Sequence, residues 1–355
     1  EDWMIEAVVN DLKKSRLQSW NDSRSLAASL YKSYINDMPW AQVVDQYDDM
    51  GRVTKQELMD FAKKNYTNNY VIVYKRLGEN KDLVRVSNPG ITPIQLNRGA
   101  ESQFYKDFMK IESKEIAPVF VDFKKEMNEG KVKSAKFTSI DNKTNDLSSV
   151  YYISDMGSDH NKKLGLAINY LNYLGTSKYT PENLKKEFYK IGVEYGVNSG
   201  SDRTFVYITG LQKNLSEGIK LFEHLINDAV ANNDSYQEYV KTILKSRENS
   251  KKNKNVIASL LNVYAQNGPD NRSRDIISEA DLKAIDPKEL TQIIKDFFNY
   301  KHQVFYYGND VKLTKKAIEQ YHNFGKGLDY PAKKEYPQPA TNGKVYFAPY
   351  DMVQA

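Results

Sequence analysis

One stretch of this chain occurs twice. VTKQELMDFAKKNYTNNYVIVY (53–74) and IDPKELTQIIKDFFNYKHQVFYY (285–307) align without a gap from Val53 against Ile285. Each opens on a helix N-cap candidate, Thr54 or Asp286, with Glu-Leu three residues on. A short polar side chain there accepts hydrogen bonds from the unpaired amides of the first turn. Each continues with one apolar face, Leu58, Phe61 and Ala62 or Leu290, Ile293 and Ile294, as a half-buried helix requires. Each then passes a short polar turn into a β-rich run, VIVY or VFYY. The match extends upstream: LKKSR (12–16) parallels LKSR (244–247), and ASL (28–30) parallels ASL (258–260). Short matches arise by chance, but several in one order with the same element types rarely do. A second echo pairs VYYISDM (150–156) with VYFAPYDM (345–352).

These echoes set a phase. Residues 1–80 read as the back half of an α+β domain, and 131–325 as a complete one. Residues 81–130 read as the linker between them, and 326–355 as a second linker with the first strand of a following domain. A headless half-domain and a lone edge strand fold poorly alone, so the chain is expected to be a piece of a longer tandem array. The linker carries the turn stretch SNPGITPIQLNRGAES (87–102) and the extended IAPVFVDFKKE (116–126). Its apolar residues suit packing along a surface; a flexible tether is the alternative.

The 355 residues allow two or three domains at roughly 100–200 residues each. Basic and acidic residues number 51 and 46 and are interspersed, so no broad charged face is implied. The densest basic run, KSRENSKKNKN (245–255), holds no aromatic side chain. A nucleic-acid groove interleaves the two, so this run reads as a solvated helix end and no nucleic-acid partner is expected. Cysteine is absent, which removes disulfide and thiolate chemistry. No apolar stretch approaches the ~18 residues of a membrane span.

Within the complete unit, KSAKFTSIDN and SSVYYISDMG read as strands. HNKKLGLAINYLNYLGT follows as a helix with Leu164, Ala167, Leu171 and Leu174 on one stripe. Gly175 offers a left-handed stop. Thr180 with Pro181 caps the next helix. VEYGVNSGSD and RTFVYITG form a hairpin, and a helix starts near Asn214 or Ser216. Helices from about 236 to 266 lead to the capped helix and strand of the repeat. Hairpins feeding runs of helices give an α+β class, a mainly antiparallel sheet with helices on one face.

DMGSDHNKKLGLA, YLGTSKYT and the hairpin GVEYGVNSGSDRTFVY resemble the insulinase/pitrilysin-type zinc peptidases, and the resemblance spans nearly the whole chain. It implies tandem domains of this class, with this segment covering the end of domain two, the linker, domain three and the start of domain four. The family motif is His-x-x-Glu-His, a fixed distance before the Gly of Gly-Thr. Counted back from Gly175, the ligand positions fall on Leu166 and Tyr170 and the base position on Asn169. The chemistry needs two imidazoles one turn apart and a Glu beside the bound water, and this sequence supplies none of them. His160, His224, His302 and His322 show no i, i+3 or i+4 pairing.

The resemblance therefore implies a non-catalytic portion of a zinc metallopeptidase. This segment would carry no cofactor, and zinc would be held by a domain outside it. Its partners would be the parent's remaining domains and a peptide substrate. Candidate substrate-facing residues are Asn169, Tyr170 and Tyr173 on the helix and Arg203 and Tyr207 on the hairpin; ordinary interior packing and strand pairing are the competing readings. Asp155, Asp159 and His160 lie close in sequence but lack a fourth ligand, and a metal site is not expected there. Two alternatives stay open: a catalytically dead scaffold of the same fold, and an unrelated α+β binding protein. Family habit and the missing cysteine favour a periplasmic location, with the cytoplasm the alternative.

Overall fold

A computed structural model of the chain describes residues 3–78, 87, 90, 93–94, 97, 99–340 and 343–350. Two compact units separate, one of residues 1–55 with 124–355 and one of residues 56–123.

The second unit holds most of α4 (Lys55–Asn65) and α5 (Gln103–Met109). Ser102 caps α5, its hydroxyl accepting from the Tyr105 amide at 3.1 Å, so part of the expected linker is helical. Leu58 and Phe61, read as an apolar face, are 49% and 58% exposed. VIVY (71–74) forms no strand. A strand needs a neighbour for its amides and carbonyls, and no described strand pairs with it. Pro89 of the expected Pro-Gly turn lies outside the described residues, as do Asp351 and Met352 of the expected final strand. The described part of that stretch, Val345–Tyr350, carries no strand.

The first unit begins with α1 (Trp3–Trp20), α2 (Ser23–Ile35) and α3 (Trp40–Met50). Asp22 caps α2 by accepting from the Ser25 amide at 2.8 Å. After the short α6 (Phe123–Glu126) come β1 (Asn128–Val132), β2 (Ala135–Asp141), β3 (Leu147–Ser154), α7 (Leu164–Tyr170), a 3-10 turn at Leu171–Tyr173, β4 (Gly175–Thr176) and α8 (Pro181–Lys190). Then follow β5 (Glu194–Ser199), β6 (Thr204–Leu211), α9 (Gln212–Asp228), β7 (Ala229–Val230), α10 (Asn233–Ser250), α11 (Lys254–Asn267), α12 (Glu279–Ala284), α13 (Pro287–Phe297), β8 (Gln303–Gly308) and α14 (Val311–Tyr321).

The main sheet runs β1-β2-β8-β3-β6-β5. Only the β2–β8 pair is parallel, so the class is α+β with a mainly antiparallel sheet. Because side chains alternate along a strand, Val150, Tyr152, Val206, Ile208, Val304 and Tyr306 share one face, each at most 1% exposed. α9 packs on that face through Leu215, Ile219, Phe222 and Ile226. The opposite face carries Tyr151, Phe205, Tyr207 and Phe305, whose rings meet around Tyr151 at 5.4–6.1 Å.

β1 and α14 were not legible as separate elements. α9 starts at Gln212, ahead of Asn214 and Ser216, with no side-chain cap; the Asn214 amide group instead donates to the Ile191 carbonyl at 2.7 Å. Gly175 is not a left-handed stop: its φ is not positive, and it pairs with Val230 in a small second sheet. A Cβ there would lie 2.3 Å from the Tyr179 carbonyl oxygen and 2.9 Å from the Pro181 nitrogen. Close backbone approach is what this glycine permits.

Candidate functional site

The stripe Leu164, Ala167, Leu171 and Leu174 is buried, but the α-helix expected along all of it ends at Tyr170: Leu171 lies in the 3-10 turn and Leu174 follows it in extended backbone. The three degenerate positions divide by environment. Leu166 is 9% exposed and Tyr170 fully buried, both within the apolar core. The Tyr170 ring meets Tyr236 edge-on at 5.5 Å and stacks on Tyr239 at 6.1 Å, both from α10. Its hydroxyl donates to the Asn232 carbonyl at 2.6 Å and accepts from the Asn232 amide at 3.3 Å. Burial pushes this phenol above its usual range, the Asn232 backbone amide opposing the shift. The substrate-facing expectation for Tyr170 is therefore corrected: the ring is sealed between two helices. Asn169 is half-buried, its amide donating back to the Gly165 carbonyl at 2.8 Å. Tyr173 is half-buried against Tyr239 at 4.8 Å.

These positions do not fit zinc. Leu166 has no lone pair to offer, and the Tyr170 oxygen is already occupied by Asn232. The loop ahead of α7 spends its polar groups on protein partners as well. Asp159, 1% exposed at its side chain, receives a two-pronged contact from Arg272 at 2.9 and 2.6 Å. Asp155 takes Arg203 Nε at 2.7 Å, and His160 Nδ1 accepts from the Gly157 amide at 3.2 Å. Among the described residues no group of three or more His, Cys, Asp or Glu side chains is placed to hold a metal ion.

On the hairpin, Arg203 is 60% exposed at its side chain. The hydrogen bond and charge of Asp155 raise its pKa further. Tyr207 is half-buried. Its ring crosses over β5 at Gly196, where a Cβ would lie 2.3 Å from it. β5 is an edge strand, paired with β6 alone among the described strands. A cavity of about 260 Å³ opens beside the start of β5, lined by residues that include Asn172, Lys185, Phe188 and Tyr195.

A polar chain that sequence reasoning missed crosses the core. His322, at the end of α14, is 3% exposed. Its Nδ1 lies 2.7 Å from Glu223 Oε1 on α9, and its Nε2 lies 2.9 Å from His302 Nε2. His302 Nδ1 donates to the Tyr300 carbonyl at 2.9 Å. Burial pushes the His302 imidazole down to about 4, the Tyr300 carbonyl opposing the shift and His322 adding to it. The residues come from three elements far apart in sequence, so a search for helical histidine spacing passes over them.

This fold recurs in solved structures. The periplasmic protease PqqL from Escherichia coli matches with a TM-score of 0.52 at 13% identity, covering 91% of this chain and 38% of that one. The chain has the insulinase/pitrilysin-type peptidase fold. The first half of PqqL matches the fold with a TM-score of 0.50 at 13% identity, over 61% of this chain and 49% of that one. The ferredoxin protease FusC, solved as a point mutant in complex with Arabidopsis ferredoxin, matches with a TM-score of 0.50 at 12% identity, over 90% and 38%. The chain thus spans well under two thirds of the length of these peptidase-fold structures. No protein-family profile and no curated protein matches the sequence. No described helix is long and apolar enough to cross a membrane.

Proposed function

We propose that this chain is the non-catalytic portion of an insulinase/pitrilysin-like zinc metallopeptidase, forming chamber wall and closure around a peptide substrate. Zinc is held by a domain outside this chain. The observation that supports the reading is the state of α7: the peptidase fold is kept, while the ligand positions Leu166 and Tyr170 serve core packing. The duplicated helix-and-strand pattern supports a tandem parent whose other domains are the immediate partners. PqqL's description as a periplasmic protease supports the same compartment.

The peptide-facing surface in this reading is β5, whose free edge can add a strand through backbone hydrogen bonds. Arg203 lies in the turn after β5 and the Tyr207 ring crosses the strand at Gly196; Asn169 and Tyr173 are assigned to the same surface in this reading, and the cavity at the start of the strand can take a side chain. The chain should bind an extended peptide and leave it intact. Fluorescence anisotropy with a labelled peptide measures the first, and mass spectrometry of the mixture the second. Arg203→Ala should weaken binding by roughly threefold to tenfold, the scale of about 1 kcal/mol for an exposed charge. Cleavage by the chain alone would refute the non-catalytic reading. Absence of binding would favour the scaffold alternative.

A further inference from the structure

The internal repeat can be followed helix by helix. LKKSR lies in α1 and LKSR in α10, and ASL follows each of them, in α2 and in α11. Asp22 and Asn253 cap the second helix of each pair, each accepting from an amide of the first turn. The two pairs are therefore the same helical hairpin, and Arg16 and Arg247 hold the same place in it. The first hairpin is filled. α3 lies against both of its helices, with Trp40, Val43 and Tyr47 on one half-buried stripe. Trp40 meets Trp20 at 5.1 Å. The Arg16 guanidinium donates to the Val43 and Val44 carbonyls at 2.7 and 2.8 Å, and it lies over the Tyr47 ring at 4.3 Å. Lys13 pairs with Asp48. α3, WAQVVDQYDDM, carries three aspartates and no basic residue, so the cations of α1 face an acidic helix.

The second hairpin is open. α12 stands in the place of α3 but has six residues against eleven. It is anchored at the first turn of α10, where the Tyr236 hydroxyl donates to the Leu282 carbonyl at 2.6 Å. The residues ahead of it, 268–278, carry no helix. Beside the second half of α10 lies a groove of about 880 Å³. Leu244, Ile257, Leu260 and Ile276 line it, the last two 47% and 54% exposed. Arg247 and Lys251 line it too, and among the described residues neither side chain has a hydrogen-bond or ion-pair partner. α11 itself has no buried residue. Tyr346 meets the hairpin at the Tyr264 ring and Tyr350 at the Lys252 carbonyl, and neither lines the groove.

We propose that the α10–α11 groove docks an acidic amphipathic helix of a partner protein, held as α1 and α2 hold α3. The apolar stripe of that helix lies on Leu244, Ile257, Leu260 and Ile276, the usual way a helix fills a hydrophobic groove. Arg247 donates to its backbone carbonyls, as Arg16 does to those of α3. Its carboxylates meet Lys251 and Lys245, the latter now paired with Glu248 at 3.1 Å. Lys241, Lys245, Arg247 and Lys251 outnumber Glu248 and Glu279 along the walls, and uncompensated positive charge selects an acidic partner. The site shares no residue with the β5 surface, so it stands or falls apart from the peptide-binding reading.

The chain's own α3 supplies the probe: a fluorescein-labelled peptide of residues 38–52, titrated into the intact chain. Anisotropy should show saturable one-to-one binding below about 1 mM peptide. Hydrogen exchange should slow across residues 244–260 on binding and stay unchanged in α1 and α2. Arg247→Glu should weaken binding by roughly tenfold or more. Leu260→Ser, at a position 47% exposed, removes apolar contact without touching charge and should weaken it as well. A peptide with asparagine in place of its three aspartates should bind less tightly than the parent peptide. Absence of saturable binding, slowed exchange in α1 and α2 in place of α10 and α11, or an affinity unchanged by both substitutions would each overturn the proposal. So would a peptide-free dimer of the chain that Arg247→Glu dissolves, since a second copy would then occupy the groove.

Discussion

Replacing Tyr170 with alanine is expected to lower the stability of the first unit by about 3–5 kcal/mol, the range for deleting a large buried aromatic ring. The residue is fully buried between Tyr236 and Tyr239. Its hydroxyl reaches the backbone of Asn232, which itself caps α10 by accepting from the Ser235 amide at 2.8 Å. The substitution therefore opens a cavity and loosens the start of the helix that covers α7. Tyr170→Phe keeps the ring and removes only the hydroxyl, at a cost of about 1 kcal/mol. Urea denaturation of both variants separates the two contributions. Losses of similar size would show that the hydrogen bond, rather than the packing, fixes α7 to α10.

The second large effect is on acid stability. The His302 pKa is lowered in the folded state, to about 4 from 6.5. The unfolded chain therefore binds the proton more readily between those values. The stability tied to neutral His302 is complete above about 6.5 and is lost as pH falls toward 4, a change on the order of 3 kcal/mol. Paired carboxylates act in a lower window. Glu248 is held down to about 2 by Lys252 and Lys245, and hydrogen bonds from Lys162 and Lys334 hold Asp275 well below its usual range. Their unfolded counterparts begin to take up protons near 4.5 and below, so urea midpoints between 4.5 and 6.5 report chiefly on His302. His302→Gln should lose most of the slope there.

Periodicity and capping carried much of this fold in the sequence. The apolar face of α7 at Leu164 and Ala167, the Thr180 cap with Pro181, the β5–β6 hairpin and the Asp286 cap all depend on residues close in sequence, and all occur where the spacing puts them. What failed depended on distant partners. VIVY has strand composition but no described neighbour to pair with. Gly175 looked like a helix stop because glycine commonly is one; its actual constraint is the return of the chain at Tyr179 and Pro181. Leu166 and Tyr170 were legible as unfit for metal, since that follows from side-chain chemistry alone. The burial of Tyr170 was not, because it depends on where α10 lands. The Glu223–His322–His302 chain shows the limit most clearly, since only the packing of α9, α14 and β8 brings its members together.

The central claim is that α7 keeps the peptidase fold without holding the peptidase metal. Isothermal titration of zinc into the intact chain tests it most directly. The expected result is no saturable one-to-one site, and no change on Asn169→Ala or Tyr170→Phe. A tight stoichiometric site weakened by either substitution would contradict the account.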